Sequence, residues 1–390
     1  MTSRIVIAGG SLAGARAAEG ARDGGFEGDI VMVEPAGTLP VIDRPQLSKS
    51  FLLETSPAKP LSMRPGVAEG LSWRRNRASQ LDLATQTIEL EDGERLRFDG
   101  LIVATGAQPR LIPELERFSN VAYLRDDADA TELRAALGRA RSIAIIGGGV
   151  LGCELAATCR TLNKQVAVVD SIDGLMLRSL GPAGSELLRG LHARKGVSLH
   201  LGNPVAHYHG QGRVSALELT DGTHIEADLV IVAVGAVPCT GWLSGAGLTL
   251  DDGLVCHDTL VAAGTDVVLG AGDVVRFGGT RAAGGVRVEH WTNASQQGQR
   301  AGRNLAALLR GDSAAPFHEV PYFWSDQFEW KIKMFGQWSE NSVRQPESTT
   351  DAFVVTYHAL DGHPIGVMAV NASSSLLRWR SVITAAHPAS

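Results

Sequence analysis

The sequence predicts an α/β protein with two parallel-sheet domains, one of them discontinuous, and a small α+β domain at the C-terminus. The first observation is that residues 5–19 read as an apolar strand, a glycine-rich turn and an alanine-rich helix. The second is that residues 141–170 repeat this plan and add another apolar strand. A chain of 390 residues is long enough for two or three domains that each bury a core of their own.

The first turn has two interpretations that differ in function. Gly9, Ser11 and Gly14 match a G-x-G-x-x-G dinucleotide loop in which serine replaces the second glycine. The same turn is one residue away from the G-x-S-x-G nucleophile elbow, in which a serine attacks carbonyl groups. The elbow interpretation lacks an HGGG-type oxyanion loop elsewhere in the chain, so we favour the dinucleotide loop, with Ser11 as a small loop residue.

The second turn supports this choice, because Gly147, Gly149 and Gly152 match G-x-G-x-x-G without exception. In such a loop the first glycine allows a tight turn, the second lets the backbone approach a pyrophosphate, and the third lets helix and strand pack closely. An acid ends the next strand of each unit, Glu34 in the first and Asp170 in the second. We expect each carboxylate to accept a hydrogen bond from a ribose hydroxyl. The chain is therefore predicted to hold two Rossmann-like dinucleotide-binding domains.

Each predicted dinucleotide unit is followed by an apolar strand that runs into glycine. Residues 101–104 precede Thr105 and Gly106, and residues 230–234 precede Gly235. Their placement predicts a strand that returns to each nucleotide domain.

The rest of the chain contains a further strand and a separate small domain. Residues 267–270 lead into Gly272 and Asp273, where a carboxylate is well placed for a ribityl hydroxyl. Residues 311–316 have the composition of a linker. Beyond them, FVVTYHAL and GVMAVNA predict strands of a smaller α+β domain.

Composition argues against several classes of protein. A net charge of -6 and a pI near 6.0 disfavour nucleic acid as the main ligand. The most apolar stretch, residues 142–159, contains three consecutive glycines and Glu154, so we expect no membrane span. The four cysteines have no C-x-x-C spacing, which predicts small buried thiols in a reducing cytoplasm, no metal site and no redox-active disulfide.

Five further motifs follow one another along the chain. They are DRPQLSK at 43–49, ATGAQPR at 104–110, AGD at 271–273, VEHWTNA at 288–294 and VPYFWSDQ at 320–327. With the two glycine loops, they resemble the FAD-dependent, NAD(P)H-using ferredoxin reductases of bacterial oxygenase systems. The resemblance covers almost the whole chain.

The resemblance implies that the first unit binds FAD and the second binds NADH. It implies three catalytic residues: Lys49 near the flavin ring, Trp291 against the isoalloxazine, and Glu154 near the nicotinamide. We expect Lys49 to stabilise negative charge on the reduced flavin and an ion pair with Glu154 to adjust this effect. Taken together, the candidate cofactor-binding residues are Gly9, Ser11, Ala13, Gly14, Glu34, Arg44, Lys49, Ala78, Thr105, Gly106, Arg125, Gly147, Gly149, Gly152, Glu154, Asp170, Gly235, Gly272, Asp273 and Trp291.

The resemblance also implies a domain order and a partner. We expect a discontinuous FAD-binding domain at 1–110 and 236–313, an NAD-binding domain at 111–235, and a C-terminal interface domain at 314–390.

NADH would reduce the flavin, which would pass single electrons to a [2Fe–2S] ferredoxin that supplies a cytochrome P450 or a Rieske dioxygenase. The protein is expected to be a monomer or a dimer. Candidate contacts for an acidic ferredoxin, or ordinary solvated charges, are Arg74, Arg75, Arg77, Arg300 and Arg303.

The chain departs from the family pattern near the predicted flavin edge. Val41 and Ile42 replace a tyrosine, Gln46 replaces a proline, and Cys239 stands where asparagine is common. The C-terminal segment is also short. Two alternatives therefore stay open: a flavin enzyme acting on a small molecule, a quinone or oxygen, and a redox-sensing flavoprotein resembling apoptosis-inducing factor.

Overall fold

The computed structural model describes residues 3–35, 42–278, 285–340, 342–348 and 352–386. Val41, part of the altered loop, lies outside the described residues, whereas Ile42 and Gln46 lie within them. Among the helices of these ranges, none combines the length and apolarity needed to cross a lipid bilayer.

The helices and strands are numbered in chain order. The helices are α1 (Leu12–Asp23), α2 (Pro65–Ala68), α3 (Asp127–Arg139), α4 (Val150–Thr161), α5 (Leu177–Arg194), α6 (Trp291–Leu309) and α7 (Ser373–Ala386). The strands are β1 (Arg4–Ala8), β2 (Asp29–Val33), β3 (Leu71–Arg74), β4 (Ala78–Asp82), β5 (Thr87–Leu90), β6 (Arg95–Arg97), β7 (Gly100–Val103), β8 (Ala107–Pro109), β9 (Val121–Ala122), β10 (Ser142–Ile146), β11 (Gln165–Asp170), β12 (Val197–Leu201), β13 (Val205–Gly210), β14 (Val214–Leu219), β15 (His224–Glu226), β16 (Leu229–Val232), β17 (Ala236–Pro238), β18 (Leu254–Cys256), β19 (Val268–Gly270), β20 (Val275–Phe277), β21 (Val286–Arg287), β22 (Tyr322–Gln327), β23 (Trp330–Gly336), β24 (Val343–Ser348), β25 (Phe353–His358) and β26 (Pro364–Val370).

The chain divides into two compact units. The first comprises Met1–Asp43, Lys59–Gln108 and Val237–Glu319, and the second comprises Arg44–Ala58, Pro109–Ala236 and Val320–Ser390. The predicted four-segment domain division stays a prediction, because compactness alone assigns no ligand to either unit.

The first unit is built on a parallel sheet of five strands in the order β19-β7-β1-β2-β3. Along β1, Ile5 and Ile7 belong to one core cluster and Val6 belongs to the other, so both faces of the sheet are buried. The backbones of helices α1 and α6 approach each other closely at Gly302. A Cβ added at Gly302 would lie 2.0 Å from the carbonyl oxygen of Ala17. This close approach holds the helix that follows the first glycine loop.

The second unit contains another parallel sheet, in the order β12-β11-β10-β16-β9. An antiparallel sheet of β13, β14 and β15 belongs to the same unit. So does an antiparallel sheet in the order β22-β23-β26-β25-β24, against which α7 packs. Strands β25 and β26 occupy the two segments that the sequence predicts as strands of a small α+β domain.

Helix α5 is kinked, and the C-terminal segment satisfies the backbone groups that the kink leaves free. Gly181 has a φ of 68° and a ψ of 179°, and Pro182 follows it. Proline removes the N–H that would bond the carbonyl four residues earlier, which is that of Arg178. The indole N–H of Trp338 donates to this carbonyl at 2.8 Å, and the hydroxyl of Tyr357 donates to the carbonyl of Leu180 at 2.5 Å. These two contacts tie the C-terminal sheet to α5.

The predicted linker carries no helix or strand between residues 312 and 316, but its backbone is held in place. The Asn304 side chain donates to the carbonyl of Ala315 at 2.7 Å and accepts from the N–H of Ala315 at 3.0 Å. The segment is therefore anchored to α6.

Candidate functional site

The first glycine loop joins β1 to α1 and leaves no room for side chains at its two ends. Gly9 has a φ of +106°, and a Cβ there would lie 2.2 Å from the carbonyl oxygen of Ala104. A Cβ at Gly14 would lie 1.8 Å from the carbonyl oxygen of Gly9. Both positions therefore require glycine, and the first turn of α1 packs directly on the loop.

The second loop, between β10 and α4, repeats this geometry. Gly147 has a φ of +111°, and a Cβ there would lie 2.3 Å from the carbonyl oxygen of Ala233. A Cβ at Gly152 would lie 1.9 Å from the carbonyl oxygen of Gly147. At Gly149, by contrast, no described atom lies within 4 Å of the added Cβ. Open space at the middle glycine is what the approach of a pyrophosphate requires.

Ser11 and Gly149 occupy equivalent positions, the N-caps of α1 and α4. Neither contributes a side-chain capping hydrogen bond, so the first-turn amides of both helices keep donors for phosphate oxygens. The hydroxyl of Ser11 makes no hydrogen bond to a described residue, and the elbow interpretation needs a base in contact with it. The geometry favours the dinucleotide loop at both positions.

The two acids at the ends of β2 and β11 hold the loops in shape. Oε2 of Glu34 accepts a hydrogen bond from the N–H of Gly10 at 2.5 Å, and Oδ2 of Asp170 accepts one from the N–H of Gly148 at 2.6 Å. Oδ1 of Asp170 also accepts from the N–H of Ile172 at 2.8 Å. Sequence reasoning missed this role. It is compatible with the predicted ribose contact, because each carboxylate oxygen accepts more than one hydrogen bond.

In the first unit, backbone groups of Cys239 hold the Thr105-Gly106 turn. The hydroxyl of Thr105 donates to the carbonyl of Cys239 at 2.8 Å, and the N–H of Cys239 donates to the carbonyl of Gly106 at 2.9 Å. Gly106 has a φ of +68°. Because both bonds use the backbone of residue 239, they tolerate cysteine where the family commonly has asparagine. In the second unit, Gly235 also has a positive φ, of +97°.

Gly272 brings the predicted ribityl acid next to the first loop's helix. A Cβ at Gly272 would lie 2.9 Å from the Cβ of Ala13, and the N–H of Gly272 donates to Oε1 of Gln297 at 2.9 Å. Asp273 follows directly and is half-buried. The position of Asp273 is thus set by the contact between Gly272 and α1.

Trp291 begins α6 and is half-buried. Its indole N–H donates to Oδ1 of Asp43 at 2.8 Å, which fixes the ring orientation. Burial lowers the pKa of the preceding residue, His290, to about 4, so that imidazole is neutral at physiological pH. The contact of Trp291 with a flavin stays a prediction.

In the second unit, Glu154 of α4 is a buried carboxylate that is only 6% exposed. Its Oε2 lies 2.8 Å from Nζ of Lys49 and accepts a hydrogen bond from Oγ of Ser48 at 2.6 Å. Its Oε1 accepts from Oγ of Ser325 at 2.8 Å. Buried charge is tolerated only with such partners, and Lys49 and Glu154 form the pair that the resemblance suggested.

Buried side chains continue the hydrogen bonding beyond Ser325. Nε2 of Gln327 donates to Oγ of Ser325 at 3.0 Å, and Oε1 of Gln327 lies 2.8 Å from Nε2 of His192. Because the amide oxygen of Gln327 can only accept, Nε2 of His192 carries the proton. Burial lowers the pKa of His192 and keeps the ring neutral. Every donor in the series points toward the Glu154 carboxylate.

Sequence reasoning found Lys49 and Glu154 but missed Ser48, Ser325, Gln327 and His192. One signal was available within the VPYFWSDQ motif: Ser325 and Gln327 are two apart on a strand, so both face the same side. Their partners come from distant parts of the chain, and no local pattern reveals them.

The remaining candidate residues, Arg44, Arg125 and Ala78, lie in different parts of the chain. Arg44 begins a short 3-10 turn, Arg44–Gln46, in the second unit. The N–H of Arg125, also in the second unit, donates to Oδ2 of Asp129 at 2.7 Å. Ala78 begins β4 in the first unit. The cofactor contacts of these three residues stay predictions.

Comparison with known proteins identifies the family. A family model described as pyridine nucleotide-disulphide oxidoreductase matches residues 3–298. The chain belongs to this family. A second model, described as reductase C-terminal, matches residues 322–390. These matches confirm the predicted fold class and the predicted resemblance. The chain is therefore an oxidoreductase.

Relatives with known names cover nearly the whole reductase. It is 34% identical over 386 residues to the ferredoxin–NAD(+) reductase component of the p-cumate 2,3-dioxygenase system of Pseudomonas putida. That alignment covers 97% of this chain and 93% of the relative. It is 31% identical over 393 residues to rhodocoxin reductase of Rhodococcus erythropolis, in an alignment that covers 98% of this chain and 90% of the relative. The crystal structure of the covalent putidaredoxin reductase–putidaredoxin complex matches with a TM-score of 0.87 and 30% identity, covering 98% of this chain and 93% of the other.

Replacing Ser325 with alanine tests the network around Glu154. We expect the free energy of unfolding to fall by about 1–3 kcal/mol, because the buried carboxylate loses a donor. Ser119→Ala is the matched control, since Ser119 is exposed and its hydroxyl donates to the carbonyl of Gly212 at 3.1 Å. The free energy of unfolding of this control should change by no more than about 0.5 kcal/mol. Urea unfolding followed by tryptophan fluorescence measures both, and equally small changes would contradict this account of Glu154.

Proposed function

We propose that this reductase oxidises NADH, holds FAD, and passes electrons singly to a [2Fe–2S] ferredoxin that supplies an oxygenase such as a cytochrome P450 or a Rieske dioxygenase. The observation that carries the proposal is the pair of glycine loops, each running into a helix without a side-chain cap. The near full-length similarity to ferredoxin reductases supports the choice of acceptor. FAD is assigned to the loop at Gly9 and NADH to the loop at Gly147.

The residues present fit two nucleotides. The first-turn amides of α1 and α4 suit the two pyrophosphates, and Glu34 and Asp170 retain acceptor capacity for the ribose hydroxyls. Gly235 leaves open space, with no described atom within 4 Å of a Cβ added there. Asp273 is assigned to a ribityl hydroxyl of FAD.

Bound FAD supplies hydride acceptance and stepwise release of two electrons. The chain's own residues supply position and charge. Lys49 carries a cation that favours negative charge in its vicinity, and its ion pair with Glu154 sets where that cation lies. The hydroxyls of Ser48 and Ser325 donate hydrogen bonds to Glu154 and hold its carboxylate beside Lys49. Trp291 offers a flat apolar ring whose orientation Asp43 fixes.

Protein thiols take no part in electron transfer in this proposal, although the family name includes disulphide. All four cysteines are free, and three of them are buried. Burial raises the pKa of the Cys159 and Cys256 thiols to about 12, so both stay protonated and unreactive. Free thiols together with NADH as donor fit the cytoplasm.

An acidic ferredoxin needs unpaired positive charge on the surface, and the candidate arginines differ in this respect. Arg74 is paired with Glu94 at 2.8 Å, and Arg303 is paired with Asp23 at 3.1 Å. Arg75, Arg77 and Arg300 form no ion pair within the described parts of the chain, and of these Arg75 and Arg77 are exposed whereas Arg300 is half-buried. We therefore assign ferredoxin contact to Arg75 and Arg77, in a protein that is a monomer or a dimer.

Steady-state electron transfer tests the proposed acceptor. With NADH as donor, we expect cytochrome c reduction to depend strongly on added [2Fe–2S] ferredoxin, because the ferredoxin carries the single electrons. Quinone reduction and oxygen consumption, measured with the same enzyme, are the controls. Turnover of a quinone or of oxygen that exceeds the ferredoxin-dependent rate would contradict the proposal.

The carboxylate of Asp170 predicts a preference for NADH over NADPH. A carboxylate accepts from the ribose 2′-hydroxyl but repels a 2′-phosphate. The lost bond and the repulsion together cost about 2–4 kcal/mol, or about thirtyfold to nearly a thousandfold in kcat/KM. Stopped-flow flavin reduction with each nucleotide measures the preference.

Two variants separate ribose recognition from the loop contact of Asp170. Asp170→Asn removes the charge and keeps one acceptor oxygen, which can serve the N–H of Gly148, while the acceptor for the N–H of Ile172 is lost. It should therefore narrow the difference in kcat/KM between NADH and NADPH and disturb the loop less than Asp170→Ala does. Asp170→Ala removes the charge and both acceptor oxygens and should also slow reduction by either nucleotide. Faster reduction of the wild-type enzyme by NADPH would show that this loop does not select NADH.

A further inference from the structure

The sheet formed by β13, β14 and β15 carries an unusual group of side chains on its solvent face. Leu217 and Ile225 are buried on the opposite face, so the alternate residues point to solvent. Glu218 lies on the central strand, with His207 as its cross-strand partner on one side and His224 on the other. His209, two residues after His207, completes the group.

Three of these side chains point their ligand atoms at one place. Nε2 of His209 lies 2.7 Å from Oε2 of Glu218. The rings of His209 and His224 are stacked, with centroids 5.5 Å apart and an interplanar angle of 26°. One ligand atom from each of His209, Glu218 and His224 lies within 4.8 Å of the other two.

We propose that His209, Glu218 and His224 form a binding site for a divalent transition metal, with zinc as the favoured ion. Zinc binds imidazole nitrogen and carboxylate oxygen at about 2.0–2.2 Å, which places neighbouring ligand atoms about 3.4 Å apart around a tetrahedral ion. His209 and His224 are exposed and Glu218 is half-buried, and rotations of these three side chains would bring their ligand atoms to that spacing. Water or His207 fills the remaining position.

The strand pairing explains why these residues form a site. Each ligand comes from a different strand of one antiparallel sheet, so backbone hydrogen bonds hold their spacing before any ion arrives. A bulge between His209 and Gly210, where Gly210 has a φ of +139°, shifts the register at the end of β13. A bound ion would link the three strands.

Zinc binding would replace the hydrogen bond between His209 and Glu218 with bonds from both side chains to the ion. In the neutral ring the proton on Nε2 moves to Nδ1 through solvent, and Nε2 and the carboxylate oxygen then both coordinate the ion. Two imidazoles favour zinc, nickel and copper over magnesium and calcium, which prefer oxygen ligands. The prediction of no metal site from the sequence relied on cysteine spacing alone. Strand pairing, which that spacing does not reveal, brings these three ligands together.

Calorimetric titration of the tag-free, FAD-loaded chain with zinc chloride tests the proposal. We expect one zinc per chain with micromolar or tighter affinity, and no saturable binding of magnesium or calcium. His209→Ala and His224→Ala should each weaken zinc binding at least about tenfold. Both residues are exposed, so circular dichroism and flavin content should not change.

Two control variants exclude other ligands. His363→Ala removes another exposed histidine, one whose Nδ1 contacts Asp361, and should leave zinc affinity unchanged. Cys239→Ser removes the one cysteine that is not buried and should also leave it unchanged. The absence of saturable zinc binding, wild-type affinity in His209→Ala or His224→Ala, or loss of binding in either control would overturn the proposal.

Discussion

The contact on which the site depends is the packing of a helix against the carbonyl of the glycine that precedes it. A side chain at Gly14 or Gly152 would lie within 2 Å of the carbonyl of Gly9 or Gly147. Only hydrogen fits there, so each helix begins directly at the carboxyl end of its strand and presents free amides at that edge. The acids Glu34 and Asp170 then hold the loops from the neighbouring strand.

Glu154 imposes the second constraint, because a carboxylate inside the protein must be matched by donors. Lys49 and Ser48 reach it from one segment of the second unit, and Ser325 reaches it from the first strand of the C-terminal sheet. Removing a donor leaves a desolvated charge, so the C-terminal sheet contributes to the electrostatics of Glu154. The neutral ring of His192 ends this network on α5.

The sequence predicts the parts of the site whose signals are local. Glycine spacing, apolar runs and terminal acids identified both loops, their helices and the strands beside them, because each pattern lies within one strand–turn–helix unit. Contacts between distant segments could not be predicted, and these include Ser325 with Glu154 and Trp291 with Asp43. The loop contact of Asp170 could not be predicted either, because the predicted ribose contact already explained an acid at that position.

The most direct measurement of the central claim compares Ser11→Asp with Gly149→Asp. Aspartate is a favourable N-cap, so both helices should keep their stability while a new charge repels phosphate. The account predicts that Ser11→Asp is purified with little FAD. It predicts that Gly149→Asp keeps FAD, measured by its visible absorption, but is reduced by NADH much more slowly. Normal FAD content in Ser11→Asp, or loss of FAD in Gly149→Asp, would contradict the assignment of the two nucleotides.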